Sequence, residues 1–156
     1  MPITIHDEPV EASGPLSVIY AAVDELERRY GNADDAPHLN YDELRPPRGV
    51  FLVARDGGHL AGGVGLRPIA DPALATGEIK RLWVRPDLRR HGVAQALMES
   101  IVERARELGY RRLYLETGPA QPEALAFYPR IGWAPAADFP PGAFTHPGAS
   151  RFTLAL

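Results

Sequence analysis

One junction constrains this chain more than any other feature: a polar, arginine-rich loop wedged between an apolar strand-like run and a long amphipathic helix-like run. The loop reads Arg85-Pro86-Asp87-Leu88-Arg89-Arg90-His91-Gly92-Val93-Ala94 and separates residues 78–84 from residues 93–108. The first backbone N–H groups of a helix lack internal partners and point outward with partial positive charge. Gly92 lets a backbone approach an anion closely, Ala94 keeps the first turn unobstructed, and Arg89 and Arg90 add charge beside it. The junction reads as a site for a phosphorylated cofactor.

Hydrophobic periodicity lays out the elements around it. Ile3-Thr4-Ile5 alternates like a first strand. Leu16, Ile19, Tyr20, Val23, Leu26 and Tyr30 recur at helical spacing, with Ser13 or Gly14 and Pro15 at the start and Gly31 as the stop. Residues 37–40 read as loop, and Asn40 with Glu43 resembles a capping box for a short second helix ended by Pro46-Pro47. Residues 50–54 and 60–66 flank the turn Asp56-Gly57-Gly58 and read as a hairpin. Gly62, Gly63 and Gly65 weaken its second arm, which implies that something passes close to that backbone.

A strand at 78–84 follows a turn at 71–76. The next helix places Val93, Leu97, Ile101, Ala105 and Leu108 on one stripe and stops at Gly109. Leu113-Tyr114-Leu115 is a strand, residues 122–128 a short helix closed by Pro129, and Trp133 begins a further strand. Phe152, Leu154 and Leu156 alternate as the last one. Strands on both sides of the 93–108 helix imply one parallel crossover, while the flanking hairpins are antiparallel. No repeat and no long linker divides the chain, so residues 1–156 read as a single α/β domain with helices on both faces of a mixed sheet.

Composition narrows the class. With 45% apolar and 24% charged residues the chain is globular, and no apolar run approaches the roughly 20 residues of a membrane-spanning helix, so no membrane partner is expected. The formal charge of −3 speaks against a non-specific nucleic-acid binder. The absence of cysteine fits a cytoplasmic location and removes the thiol nucleophiles; Lys80 is the one lysine, which removes most Schiff-base candidates. His6, His38, His59, His91 and His146 show no metal-ligand spacing and read as ordinary loop or surface residues, so no metal is expected. There is no G-x-x-x-x-G-K-[S/T] loop and no G-x-S-x-G elbow, and Gly63-Val64-Gly65 lacks the third glycine and following helix of a dinucleotide fingerprint.

What remains is Arg89-x-x-Gly92-x-Ala94 at a strand–loop–helix junction. It resembles the Q/R-x-x-G-x-G/A motif of the GNAT-type N-acetyltransferases, which grip the pyrophosphate of acetyl-CoA through loop amides. The resemblance extends through Glu78-Ile79-Lys80-Arg81-Leu82-Trp83-Val84, Leu113-Tyr114-Leu115-Glu116-Thr117-Gly118 and Ala124-Leu125-Ala126-Phe127-Tyr128-Pro129-Arg130-Ile131-Gly132-Trp133, covering about residues 50–133 in the family's order. It implies a central, mixed, mostly antiparallel sheet of about seven strands flanked by about four helices. It also implies transfer of an acetyl group from acetyl-CoA to a primary amine by direct attack, with a small molecule or peptide as acceptor.

The resemblance distributes the roles. Arg89, Arg90, His91, Gly92, Val93 and Ala94 carry over as the phosphate cradle, and Leu82, Trp83 and Val84 as contacts to the pantetheine arm. Backbone N–H groups near Trp83 and Val84 would polarise the thioester carbonyl if the strand splays from its neighbour. Glu78 is the candidate base, directly or through water, with an ion pair to Lys80 or a nearby arginine as the competing reading. On a regular strand Glu78, Lys80, Leu82 and Val84 share one face, and the family's bulge would alter that parity. Tyr128 is the candidate acid, protonated at neutral pH and able to donate to the departing thiolate. Gln121 stands where many relatives place an Asn that holds pantetheine or the helix. Tyr20, Tyr30, Tyr41, Arg67 and the loop at 138–146 fall on the acceptor side, where Arg67 could clamp a substrate carboxylate. A non-catalytic acyl-CoA sensor on the same fold is the alternative, and the sequence leaves a homodimer open.

Overall fold

The computed structural model describes residues 2–31, 40–143 and 145–156. Seven strands form one sheet: β1 (Ile3–Asp7), β2 (Val50–Asp56), β3 (His59–Pro68), β4 (Thr76–Val84), β5 (Arg112–Thr117), β6 (Ala134–Ala136) and β7 (Ser150–Ala155). Their spatial order is β1-β2-β3-β4-β5-β7-β6. The β4–β5 pair is parallel and every other pairing is antiparallel. Three α-helices complete the described fold: α1 (Ser13–Tyr30), α2 (Val93–Glu107) and α3 (Pro122–Arg130). The parallel pair is joined by the α2 crossover, as the strands on either side of that helix required.

The helix count is therefore about three, not four. The expected second helix is a single 3₁₀ turn, Tyr41–Leu44, in which the Asn40 side chain accepts from the Asp42 N–H. Pro46-Pro47 follow at once and leave no residues that could extend the turn into an α-helix. Of the loop expected at 37–40, residues 37–39 lie outside the described residues, as does His38. Pro129 does not close α3; the helix carries it in its last turn and ends at Arg130.

The sheet separates two apolar layers. On one face α2 sets Val93, Leu97, Ile101 and Ala105 against Leu52, Val64, Leu66 and Ile79, with Tyr128, Trp133 and Phe152 continuing the layer. On the other, Val18 and Ile19 of α1 pack with Phe51, Val53 and Leu44, and Trp83 lies against them. Leu97 and Ile101 are fully buried, and each such side chain contributes about 1.5–3 kcal/mol. The glycines of β3 are explained from within. A Cβ on Gly62 would sit 2.5 Å from the Trp83 carbonyl, and one on Gly65 would meet Leu44 and Phe51 at 3.0–3.2 Å. What passes close to that backbone is the protein's own core.

Candidate functional site

Two departures from a regular sheet make the site. The first is a splay. β4 and β5 pair only at Thr76↔Arg112, Gly77↔Leu113 and Glu78↔Tyr114, and beyond Glu78 the two strands part. The second is a bulge. Gly63 faces Trp83 and Gly65 faces Lys80, so Val64 stands opposite both Arg81 and Leu82, and Arg81 takes a φ of 59°. The extra residue reverses the side-chain alternation. Ile79 lies in the α2 layer before the bulge, whereas Leu82 and Val84 lie in it afterwards, and Trp83 turns to the α1 layer. Glu78 thus shares no face with Leu82 and Val84.

The strands open a cleft of about 1570 Å³ lined by Glu78 to Val84 on one lip and by Leu115, Glu116, Thr117 and Gly118 on the other. The Arg85 N–H bonds Ala61 on the β3 side at 2.8 Å, so by strand alternation the N–H and C=O of Val84 face the cleft. Its carbonyl accepts from Arg89 Nε at 2.8 Å. At the cleft's end stands the N-terminus of α2. The first helical backbone bond there runs from the Ala96 N–H to the Gly92 carbonyl, and among the described residues the amides of Arg90 to Gln95 make no backbone hydrogen bond. Gly92 caps the helix with a φ of 86°, and a Cβ built on it would stand in open space. An anion can therefore come up to these amides.

The side chains expected at the site divide clearly. Leu82, Trp83, Val84, Arg89, Arg90, Gly92, Ala94 and Gln121 line the cleft together with Glu78 and Tyr128. The side chains of His91 and Val93 do not: His91 is exposed outside it, and Val93 is buried in the α2 layer. Arg89 spans from Val84 to Glu25 of α1, whose Oε1 accepts from Nη2 at 2.6 Å. Gln121 folds back on its own loop, where its Oε1 accepts from the Gly118 N–H at 3.1 Å and from the Tyr30 hydroxyl at 3.4 Å.

Glu78 is 1% exposed, and its Oε1 accepts from both Nε (2.9 Å) and Nη2 (2.7 Å) of Arg67. Arg67 also reaches Glu43 at 3.5 Å. The partner of Glu78 among the described residues is thus the neighbour across the β3–β4 register, and the guanidinium of Arg67 is turned onto protein carboxylates. Tyr128 sits on the opposite face, its ring 5.6 Å from that of Phe152 and 6.3 Å from that of Trp133. Burial pushes its phenol up from the ordinary tyrosine value, so it holds its proton across the physiological range.

Glu116 escaped the sequence reading, and His146 entered it only as the end of the 138–146 loop on the acceptor side. Glu116 lines the β5 lip, and its carboxylate accepts from the His146 N–H (3.0 Å) and meets His146 Nδ1 (3.1 Å) and Arg151 Nε (3.4 Å). His146, read as an ordinary loop histidine, lies in the cleft wall beside it. Period-two alternation with Leu113 and Leu115 marks Glu116 as facing away from the α2 layer, but nothing local in the sequence joins it to a histidine 30 residues on. Among the described residues no group of three or more His, Asp or Glu side chains is placed to hold a metal ion.

A mixed sheet opened between parallel neighbours, with bare helix amides among the described residues at the end of the gap, leaves room for an extended anionic ligand. The model of the Acetyltransferase (GNAT) family matches residues 19–133. The chain is 36% identical over 137 residues to the IAA acetyltransferase of Azospirillum brasilense, covering 85% of this chain and 88% of that protein. The solved PaiA N-acetyltransferase of Thermoplasma acidophilum, in complex with coenzyme A, superposes with a TM-score of 0.74 at 16% identity over 100% of both chains. A GNAT family acetyltransferase of Elizabethkingia anophelis with acetyl-CoA bound gives a TM-score of 0.69 at 20% identity, covering 99% of this chain and 98% of that one. This chain belongs to the GNAT acetyltransferase family, and it is an acyltransferase.

Proposed function

We propose that the protein transfers acetyl from acetyl-CoA to a primary amine by direct attack, with the cofactor in the β4–β5 cleft. One observation carries the reading: the run of backbone amides from Arg90 to Gln95 without backbone partners among the described residues, at the mouth of a cleft between splayed strands. The residues present fit coenzyme A. Gly92 leaves open space where a side chain would block a diphosphate, and Thr117 Oγ1 in the β5 lip is buried without a hydrogen bond among the described residues. In the bound state the cofactor supplies the activated acetyl thioester. The amides of residues 90–95 hold its diphosphate and Arg90 adds charge, while Arg89 is tied to Val84 and Glu25 and keeps the loop in shape.

The proposed roles follow the two faces of the sheet. On the α1 face, Glu78 presents its carboxylate to the cleft with Oε1 anchored by Arg67, which suits it to receive the incoming ammonium and draw on its proton directly or through water. The cleft-facing Val84 N–H is placed to polarise a carbonyl. On the α2 face, Tyr128 lines the cleft and donates its proton to the departing thiolate. Arg67, engaged by Glu78 and Glu43, acts through Glu78 rather than as a clamp on the acceptor. The acceptor class is a small amine or a peptide amine.

A thiol-release screen with acetyl-CoA against amines, amino acids and peptides tests the reading, alongside calorimetric titration of acetyl-CoA and ADP. Thiol release with at least one amine, and a preference for the full cofactor over ADP, is expected. Cofactor binding with no release across the panel would instead favour a non-catalytic sensor.

A further inference from the structure

Resting on that reading, we infer that the Thr117 hydroxyl binds an amide of the cofactor's pantetheine arm. Thr117 is 6% exposed at the end of β5, and it lines the cleft. Its Oγ1 is buried and has no hydrogen-bond partner among the described residues. Folded proteins rarely leave a buried hydroxyl in that state, because the water it gave up has not been replaced. Elsewhere this sheet follows the rule. Thr76, buried to nearly the same degree, donates to the Ile69 carbonyl at 3.1 Å, and Thr153 donates to the Leu113 carbonyl at 2.9 Å. Packing alone does not call for the hydroxyl of Thr117, since valine has almost the same shape without the polar atom.

The place of Thr117 in the sheet says which part of the cofactor it meets. Glu78↔Tyr114 is the last β4–β5 pair, and Thr117 lies three residues beyond it, about 10 Å along the opened lip. Val84 and the amides of residues 90–95 lie further out, at the proposed diphosphate end. Thr117 therefore stands between that end and Glu78, the stretch left for the arm and its amides. By strand alternation its side chain shares the face of Leu113 and Leu115, in the layer that also holds Tyr128. A turn of χ1 from one staggered position to the next trades methyl for hydroxyl at the cleft wall, where the hydroxyl can donate to an amide carbonyl or accept from an amide N–H. Gln121, the residue expected to hold the arm, has its Oε1 engaged by the Gly118 N–H at 3.1 Å and the Tyr30 hydroxyl at 3.4 Å.

The test compares Thr117→Val and Thr117→Ser with the native full chain. Acetyl-CoA and ADP, which lacks the arm, are each titrated by calorimetry, and thermal unfolding of each free protein is recorded. Thr117→Val should weaken acetyl-CoA about three- to tenfold, the worth of one hydrogen bond, while ADP affinity stays within about twofold. The Tm of free Thr117→Val should equal or exceed the native value, because an unpartnered buried hydroxyl has been removed. Thr117→Ser keeps the hydroxyl and should bind acetyl-CoA within about threefold of native. If Thr117→Val does not fold, Thr117→Ala takes its place in the same comparison. A native acetyl-CoA affinity in Thr117→Val, as a hydroxyl satisfied by water alone would give, overturns the proposal. So does a loss that ADP shares in full, or a Thr117→Ser as weak as Thr117→Val. Failure of the native protein to bind acetyl-CoA sinks the cleft reading itself, a separate result.

Discussion

At the residue scale, the site is an exercise in where protons are kept. Tyr128 is buried among Phe127, Trp133 and Phe152, and that burial favours the neutral phenol. Tyr128→Phe removes the donor while keeping the ring packing, so kcat should fall by about 10²–10⁴ with acetyl-CoA affinity unchanged; steady-state kinetics paired with calorimetry checks this. A different carboxylate contributes to stability against acid. Hydrogen bonds from Arg55 Nε and Nη2 at 2.9 and 3.0 Å hold Glu8 below its ordinary value of 4.5. A depressed carboxylate contributes stability that is fully present above its ordinary value and lost as pH falls through the folded one. Arg55→Met should therefore cost about 1 kcal/mol at pH 7 and flatten the acid limb below about pH 4.5, as read from urea unfolding across pH.

At the element scale, the proposed cradle is the β4–loop–α2 unit, and its geometry rests on two left-handed residues, Arg90 at φ 66° and Gly92 at φ 86°. Glycine tolerates that conformation, whereas a β-branched residue is strained there and would stand in the space an anion needs. Gly92→Val should lose about 1–2 kcal/mol of stability and at least tenfold in acetyl-CoA affinity, measured by thermal unfolding and calorimetry. Retained affinity would remove the cradle from the reading. Much of this unit was legible in the sequence because its signals are local: an apolar run, an arginine-rich loop, a glycine, then a helical stripe. The bulge was not. Val64 opposite Arg81 and Leu82 is a matter of registry between strands, and a regular alternation would have set Glu78 beside Leu82 and Val84.

At the scale of the whole molecule, α1 binds the two lips of the cleft from one side. Its Glu25 takes Arg89 of the β4–α2 loop, while Arg29 and Tyr30 reach the backbone of Ala120 beyond β5. A ligand wedged between the lips joins the same parts, so the cofactor should raise global stability. At 100 times its dissociation constant, acetyl-CoA should add about 2.7 kcal/mol and raise Tm by about 5–10 °C, measured by differential scanning fluorimetry with ADP for comparison. An unchanged Tm at that concentration would mean that the cofactor does not bind the folded protein in preference to the unfolded chain, and would count against the proposed cleft.

The order of strands and helices along the chain, the parallel crossover and the arginine-rich loop that opens α2 follow from the sequence alone, because each depends on periodicity or on a backbone-permissive residue within a few positions. The absent second long helix was in principle visible too, since Pro46-Pro47 stand directly behind the turn at Tyr41–Leu44. Only the tertiary structure decided which charges meet. Arg67 closes on Glu78 from the next strand, Glu25 on Arg89 from a helix across the sheet, and His146 on Glu116 from a loop far along the chain. Charge pairing depends on distance in space, and distance in space is set by sheet register and helix packing, which no single stretch of sequence contains.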